Sequence, residues 1–415
     1  MKYIKNIGRK MLIWLSIMNL MSLLCFNNYA SASQEIEDEN EILFNETVQQ
    51  IQLFAHDIRS FLTEEVTDTN PIHAPFSYYL ALLAIEPGLT GEHQEMLDQV
   101  LIPESASQES YFATIETLLK EAMAEENTVF KTQTYLLADH EKEWLDDYRA
   151  TVEPLFIEPM SVNFQDSETY HAINEEIAEF TNGLIDPYFS SERIDEAVQN
   201  IDLRLIALNL LYFNGEWKNE FSENSTVEEA FYGTETETVV EMMHQKNKFS
   251  YVETEDYQAI SLPYTNDASL VVVLPTEDQA PDKMWEYYHE VLSGEIAWEM
   301  KEVELSLPKF EASASLDLTD SLSYLGIEEF QKDLGETNFF VNNEPILISQ
   351  ILQRIEFIVD EKGTEAAAVT EVAIETTAAP ITEEPVKMVI NRPFVYGITY
   401  QKLPLFEGIT NQIGE

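Results

Sequence analysis

The sequence predicts one domain of the α+β class. Three observations carry this: a helical period appears early, strand-like segments cluster late, and nothing alternates in the manner of a doubly wound parallel sheet. With 415 residues, 45% hydrophobic and 11% aromatic, the chain can bury a large core and is not a disordered polymer. There is no internal repeat and no linker long enough to divide it, so length alone is not read as a second domain.

In chain order, the first segment stands outside that domain. Lys2, Lys5, Arg9 and Lys10 precede an apolar run from Met11 to Phe26, followed by Ala30-Ser31-Ala32. This is the order of a secretory signal peptide. Cleavage is expected after Ala32, leaving residues 33–415 as the domain. The apolar run is about 16 residues where a bilayer span needs roughly 20, and no comparable run follows. A secreted, extracellular protein without a membrane anchor is the expectation.

From Phe44 through Val48, Ile51, Phe54, Ile58 and Phe61 the apolar residues recur every three to four positions, which predicts an amphipathic helix with one core-facing stripe. Strands are predicted at Leu203 to Phe213, Ala259 to Tyr264, Leu270 to Leu274 and Val303 to Phe310. These segments are rich in Leu, Val and aromatics and are punctuated by Pro and Gly.

Composition excludes several functions. There are 76 Asp plus Glu against 23 Lys plus Arg, a formal charge of −53. Loss of the leader removes four basic and no acidic residues, leaving 19 against 76 and a charge of −57. Nucleic acid, heparin-like polyanions and anionic membranes are not expected as partners, because binding them requires a basic face that releases counterions. Cys25, the only cysteine, lies in the leader, so the exported chain would have no disulfide, no thiol nucleophile and no thiolate metal site. The seven histidines (His56, His73, His93, His140, His171, His244 and His289) include no pair in His-Glu-x-x-His spacing. A Gly-x-Ser-x-Gly elbow, a Gly-x-Gly-x-x-Gly turn and a phosphate-cradling loop are also absent. No metal or cofactor is expected. A hydrolase using paired carboxylates has no supporting constellation among so many surface acids.

The informative segment runs from Asp360 to Asn391. Read with period two, Thr364, Ala366, Ala368, Thr370, Val372 and Ile374 share one parity. Glu365, Ala367, Val369, Glu371, Ala373 and Glu375 share the other. As a strand it would place its small and apolar parity in a core and keep every carboxylate wet. Gly363 would supply backbone freedom at its start. The same composition also suits an Ala/Glu-rich surface helix or loop, and periodicity does not decide between them. Beyond Ala379, Pro380, Glu383, Glu384 and Pro385 read as exposed loop.

Glu361-Lys362-Gly363-Thr364-Glu365-Ala366-Ala367-Ala368-Val369-Thr370 resembles the hinge of an inhibitory serpin. Further serpin-like motifs follow in order. They are Asn70-Pro71-Ile72-His73-Ala74-Pro75-Phe76-Ser77; Ile173-Asn174 with Ile177, Thr181, Gly183 and Ile185; and Asn209 to Phe221 with Tyr212, Phe213, Gly215 and Trp217, then Thr226 and Phe231. Met242-Met243-His244-Gln245, Leu262-Pro263-Tyr264, Leu307-Pro308-Lys309-Phe310, Asn391-Arg392-Pro393-Phe394 and Leu405-Phe406-Glu407-Gly408 complete the series. The resemblance covers about residues 42 to 411. It departs from the family at Ala74, usually Ser; at Gln353, often His; at Asn411-Gln412, usually Asn-Pro; and in a long stretch between Thr377 and Pro393.

The resemblance implies a secreted, bacterial-type serpin, monomeric and not an enzyme, with three β-sheets, eight or nine helices and an exposed reactive-centre loop at about 360–391. It implies a metastable suicide substrate. The target serine protease attacks the loop with its own triad, and the loop then inserts as a new central strand that drags the acyl-enzyme along. Fourteen residues, Thr364 to Thr377, at roughly 3.3 Å each would span about 45 Å. Counting from Gly363 as the family does places the scissile bond at Thr377-Ala378, with Thr376-Thr377 and Ala378-Ala379 adjacent. Small residues there imply an elastase-like or subtilisin-like protease with a small apolar S1 pocket. The hinge is then Glu361, Gly363, Thr364, Glu365, Ala366, Ala367, Ala368, Val369 and Thr370, with Ile374, Glu375, Thr376 and Ala379 further along the loop. Ser77, Asn209 and Gln353 fall in the region that gates sheet opening. Lys309 and Glu361 match an ion pair at the loop base, or else a surface pair worth under about 1 kcal/mol. A non-inhibitory carrier is the alternative, and the bulky or charged hinge expected of it is absent.

Overall fold

The helical period that begins at Phe44 becomes helix α1, residues 41–65. In the computed structural model the described residues are 41–414 apart from 66–67, 125–129, 186, 200–204, 277–282, 295, 333, 343–345 and 365–383. The stripe faces inward as predicted: Val48, Ile51, Phe54, Ile58 and Phe61 are buried. A two-residue strand β1 (Ile72–His73) then leads into α2 (Pro75–Ile85), every residue of which is buried. Pro75 sets its first turn, where a missing N–H costs nothing. A helix apolar all round belongs inside a core rather than on a surface.

Helices α3 (Gly91–Leu101) and α4 (Gln108–Ala122) follow. Ser107 caps α4 by accepting the Ser110 N–H at 3.2 Å, which satisfies one of the orphan donors of a first turn. Strand β2 (Phe130–Asp139), α5 (Asp146–Val152), β3 (Ile157–Val162), α6 (Ser167–Phe180) and α7 (Ser191–Ala197) lead to β4 (Leu205–Phe213). Predicted to start at Leu203, β4 is buried along its whole length, which is the pattern of a strand covered on both faces. Alternate residues enter different cores. Leu205, Ala207 and Leu211 join the main cluster, whereas Ile206, Leu208 and Leu210 pack beneath Tyr170 and Ile173 of α6.

The remainder is mostly strand. It comprises β5 (Gly215–Glu216), β6 (Val227–Tyr232), β7 (Glu237–Glu253), β8 (Tyr257–Pro263), β9 (Ala268–Pro275), α8 (Met284–Ser293), β10 (Glu299–Pro308) and β11 (Phe310–Asp317). Then come β12 (Ile348–Val359), β13 (Gly363–Thr364), β14 (Val386–Val389), β15 (Phe394–Tyr400) and β16 (Leu403–Thr410). The predicted strand Val303 to Phe310 is two strands that part at Lys309. β10 pairs with β7, and β11 pairs with β12 in the other sheet. Pro308, which has no N–H to give a ladder, sits at the switch.

The seven-stranded sheet has the order β3-β2-β4-β12-β13-β5, with β11 beside β12. The second network is β1-β16-β15-β9-β8-β7-β10-β14, with β6 beside β7. Strand β7 pairs with β6 over Glu237–Met242 and with β8 over Ser250–Glu253. Two strand groups therefore share β7, and with the seven-stranded sheet they make up the expected three sheets. The described residues contain eight α-helices, and the class is α+β as predicted.

Candidate functional site

The site is built where β12 ends. After Val359 the chain turns through Asp360, whose carboxylate accepts the N–H groups of Lys362 at 2.8 Å and Gly363 at 3.1 Å. It returns as β13 between two partners, with Thr364 opposite both Val359 of β12 and Gly215 of β5, and Gly363 opposite Glu216. Gly363 is required here for space: a Cβ would lie 2.0 Å from the Gly215 carbonyl oxygen. Its φ of +159° is also one that residues with a side chain rarely adopt, in keeping with the backbone freedom expected of it.

Glu361 anchors the turn. Its Oε1 accepts from the Thr226 hydroxyl at 2.7 Å, and its Oε2 lies 3.2 Å from Lys309 Nζ, which also reaches Glu241 at 3.4 Å. Burial raises the Glu361 carboxyl, but the Thr226 hydroxyl, a backbone N–H and Lys309 outweigh it and hold it below the usual carboxylate range. The ion pair expected from the motif is formed, with Glu361 buried and Lys309 partly so. Around it the backbone is gripped twice, by the Trp217 N–H on the Lys362 carbonyl at 2.8 Å and by the Phe221 N–H on the Glu361 carbonyl at 2.9 Å. Trp217 Nε1 donates to the Asp360 carbonyl at 2.8 Å. Its ring stacks on Tyr264 at 4.4 Å, and the Tyr264 hydroxyl meets Thr364 Oγ1 at 2.6 Å. Thr226, Trp217 and Tyr264 all lie in the quoted motifs, but their assembly around one turn depends on long-range pairing that no local pattern reveals.

The three residues expected at the sheet-opening region converge. Ser77, on the first turn of α2, donates to Asn209 Oδ1 at 2.6 Å, and Asn209 Nδ2 donates to the hydroxyls of Thr134 at 2.5 Å and Thr132 at 3.3 Å. Gln353 holds Ala74 at both polar backbone atoms, accepting from its N–H and donating to its C=O, each at 2.9 Å. Where Ala74 lacks the usual hydroxyl, an amide reaches the main chain in its place. Asn209 and Gln353 are also register partners in the parallel pairing of β4 with β12, which runs from Leu205/Ile348 to that pair and no further. Above it β13 enters between β12 and β5.

The departure at Asn411-Gln412 is accommodated by Asn70, whose Oδ1 accepts the N–H groups of Asn411 at 2.7 Å and Gln412 at 3.0 Å. Of the hinge, Glu361, Gly363 and Thr364 are placed. Glu365, Ala366, Ala367, Ala368, Val369, Thr370, Ile374, Glu375, Thr376, Ala379 and the bond Thr377-Ala378 lie outside the described residues, as does the leader. Among the described residues no group of three or more His, Cys, Asp and Glu is placed to hold a metal ion. None of their helices is long and apolar enough to cross a membrane.

A family model described as Serpin (serine protease inhibitor) matches residues 49–412. Leukocyte elastase inhibitor of Bos taurus is 27% identical over 363 residues, covering 84% of this chain and 94% of the relative. Corticosteroid-binding globulin of Ovis aries is 28% identical over 358 residues, covering 82% and 79%. The crystal structure of Serpin48 from the insect Tenebrio molitor matches with a TM-score of 0.75 at 21% identity, over 89% of this chain and 99% of that one. The fold, the assembled loop base and a family match over most of the length lead to one conclusion: the chain belongs to the serpin family.

Proposed function

We propose that this serpin is a secreted, monomeric suicide-substrate inhibitor of an extracellular serine protease with a small S1 pocket, elastase-like or subtilisin-like. The mature chain begins at Ser33, and the protease attacks Thr377-Ala378. The observation that carries the reading is the entry of β13 into the sheet. Continuing the β12 register from Val359/Thr364 pairs Thr370 with Gln353, and continuing the β5 register from Gly215/Thr364 pairs Thr370 with Asn209. Asn209 and Gln353 are already each other's partners. A loop entering as a strand would therefore meet the clasped seam at its seventh residue, and further insertion would part that pair.

The chemistry of the hinge supports the same step. From Thr364 to Ile374 the inward parity carries no charge, so insertion desolvates none; a single buried charge would cost several kcal/mol. Having no catalytic residue of its own, the inhibitor borrows the triad of its target. The similarity to corticosteroid-binding globulin, as high as that to leukocyte elastase inhibitor, sustains a second reading as a non-inhibitory carrier.

The test mixes the mature protein with elastase-, subtilisin-, chymotrypsin- and trypsin-like proteases, followed by a denaturing gel and mass analysis of the released peptide. An SDS-stable complex and a peptide beginning at Ala378 are expected. Cleavage of the loop with fully active protease throughout would move the assignment to the carrier.

A further inference from the structure

A second buried cluster of charge lies at β1, away from the loop base in sequence and unused by the inhibitor reading. Arg59 of α1, His73 of β1 and Glu407 of β16 are 4%, 1% and 0% exposed. Arg59 binds Glu407 with two nitrogens, Nε to Oε2 at 2.8 Å and Nη2 to Oε1 at 2.7 Å. His73 Nε2 lies 3.1 Å from the same Oε2, and His73 and Glu407 are register partners across β1 and β16. From α8, Trp285 meets the His73 ring edge-on at 6.2 Å, and the Arg59 guanidinium lies 5.6 Å from the Trp285 and Tyr288 rings. Gly397, opposite Glu407 on β15, leaves room for Tyr288: a Cβ there would be 1.8 Å from its hydroxyl.

The charge balance of the cluster is exact only when His73 is neutral. Its Nε2–H then donates to Glu407, and one carboxylate answers one guanidinium. Burial would raise the Glu407 carboxyl, but Arg59 and His73 hold it down at about 2, so it stays ionised across the ordinary range. Among the described residues His73 Nδ1 has no partner, and neither do Arg59 Nη1 and the Tyr288 hydroxyl. A proton on Nδ1 would put a second cation beside Arg59 and a donor in a place without an acceptor, an arrangement that costs far more in a buried site than in water. Burial accordingly holds the His73 ring below its ordinary value of 6.5 despite the Glu407 contact.

The next residue is Ala74, whose N–H and C=O are both held by Gln353 of β12. Movement of β1 therefore acts directly on the top of the β4–β12 seam. We propose that His73 is a proton-operated release for this seam: protonation of its buried ring displaces β1 from Glu407, draws Ala74 off Gln353 and lets the seam part. The conformer with its loop outside the sheet is then stable at neutral and alkaline pH and is lost in acid. Release of β1 stands on the cluster alone; uptake of the loop afterwards rests on the inhibitor reading.

The test compares the full mature chain with His73→Gln, which keeps an N–H for Glu407 and takes up no proton. Glu86, buried and raised to about 7, gains stability on acidification, and so does a chain of net −57 as its repulsion eases. The diagnostic quantity is therefore the difference between parent and variant. A depressed His contributes its stability above 6.5 and loses it as the pH falls below that value toward the folded one. The thermal midpoint of the parent should drop relative to the variant in that window. Trp285 emission should be quenched in the same window, and the change should be missing in Trp285→Phe. A difference that stays constant with pH would overturn the switch; His73→Phe serves if His73→Gln does not fold. In a second arm both proteins are held in acid, returned to neutral pH and titrated with protease. The variant should retain about tenfold more complex-forming capacity, and equal loss would overturn the coupling to the seam. An inhibitor reading that is itself wrong would show separately, as no complex from protein never acidified.

Discussion

Gln353 spans 279 positions of sequence to hold Ala74, and it does so by bonding both polar atoms of one peptide backbone. Truncating it leaves a buried N–H deprived of its acceptor. At about 1–3 kcal/mol for each unsatisfied group, Gln353→Ala should lower the stability of the uncleaved form by about 2 kcal/mol or more, read as a lower denaturant midpoint. Glu361 gives a pH prediction. Its carboxyl is held below the ordinary 4.5, so its contribution is full above that value and is lost as the pH falls through the folded one. Parent and Glu361→Gln should differ at neutral pH and converge in strong acid; a gap that persists there would sink the assignment. In the hinge, Ala368→Arg places a charge on the inward parity, and inhibition should give way to simple cleavage of the loop. Equal inhibition by this variant would remove the insertion mechanism.

Local signals were legible at the level of elements wherever one period governs one segment. α1 shows this, because its stripe and its burial coincide. The segment Val303 to Phe310 was not legible as two strands, since both sides of Lys309 have strand composition and only distant partners, β7 for one and β12 for the other, divide them. The hinge was readable only through its resemblance to the family motif, since periodicity left both a strand and a surface helix or loop open; of it, Gly363 and Thr364 form β13. The Ala74 clasp was not readable, because a backbone partner leaves no trace in composition. The triad at β1 was hidden for a related reason: Arg59, His73 and Glu407 lie far apart in sequence, and only the meeting of three elements buries them together. For β13, Gly363→Val should push the strand away from Gly215, since even a Cβ lies within 2.0 Å of that carbonyl oxygen. Faster proteolysis beyond Asp360 would report it, and an unchanged rate would count against the close approach.

For the molecule as a whole, its acidity and the proposed metastability set the behaviour. At −57 the proposed mature chain repels itself, and salt shortens the reach of that repulsion from about 30 Å at 0.01 M to about 8 Å at 0.15 M. Thermal stability should rise by a few degrees over that interval, and a fall would mean that the ion pairs Lys309–Glu361 and Arg59–Glu407 outweigh the net field. Cleavage within 365–383 should raise the thermal midpoint sharply as the loop becomes a strand; no rise would count against insertion.

The placement of the last two strands bears on how such a chain is made. β15 lies between β9 and β16, and β16 joins it to β1, while Leu403, Leu405 and Phe406 of β16 belong to the same core as α2. The interior cannot close until β16 has emerged from the ribosome. A nascent chain of this design would remain threadable until β16 is made, which is the condition that the proposed export through a narrow channel demands.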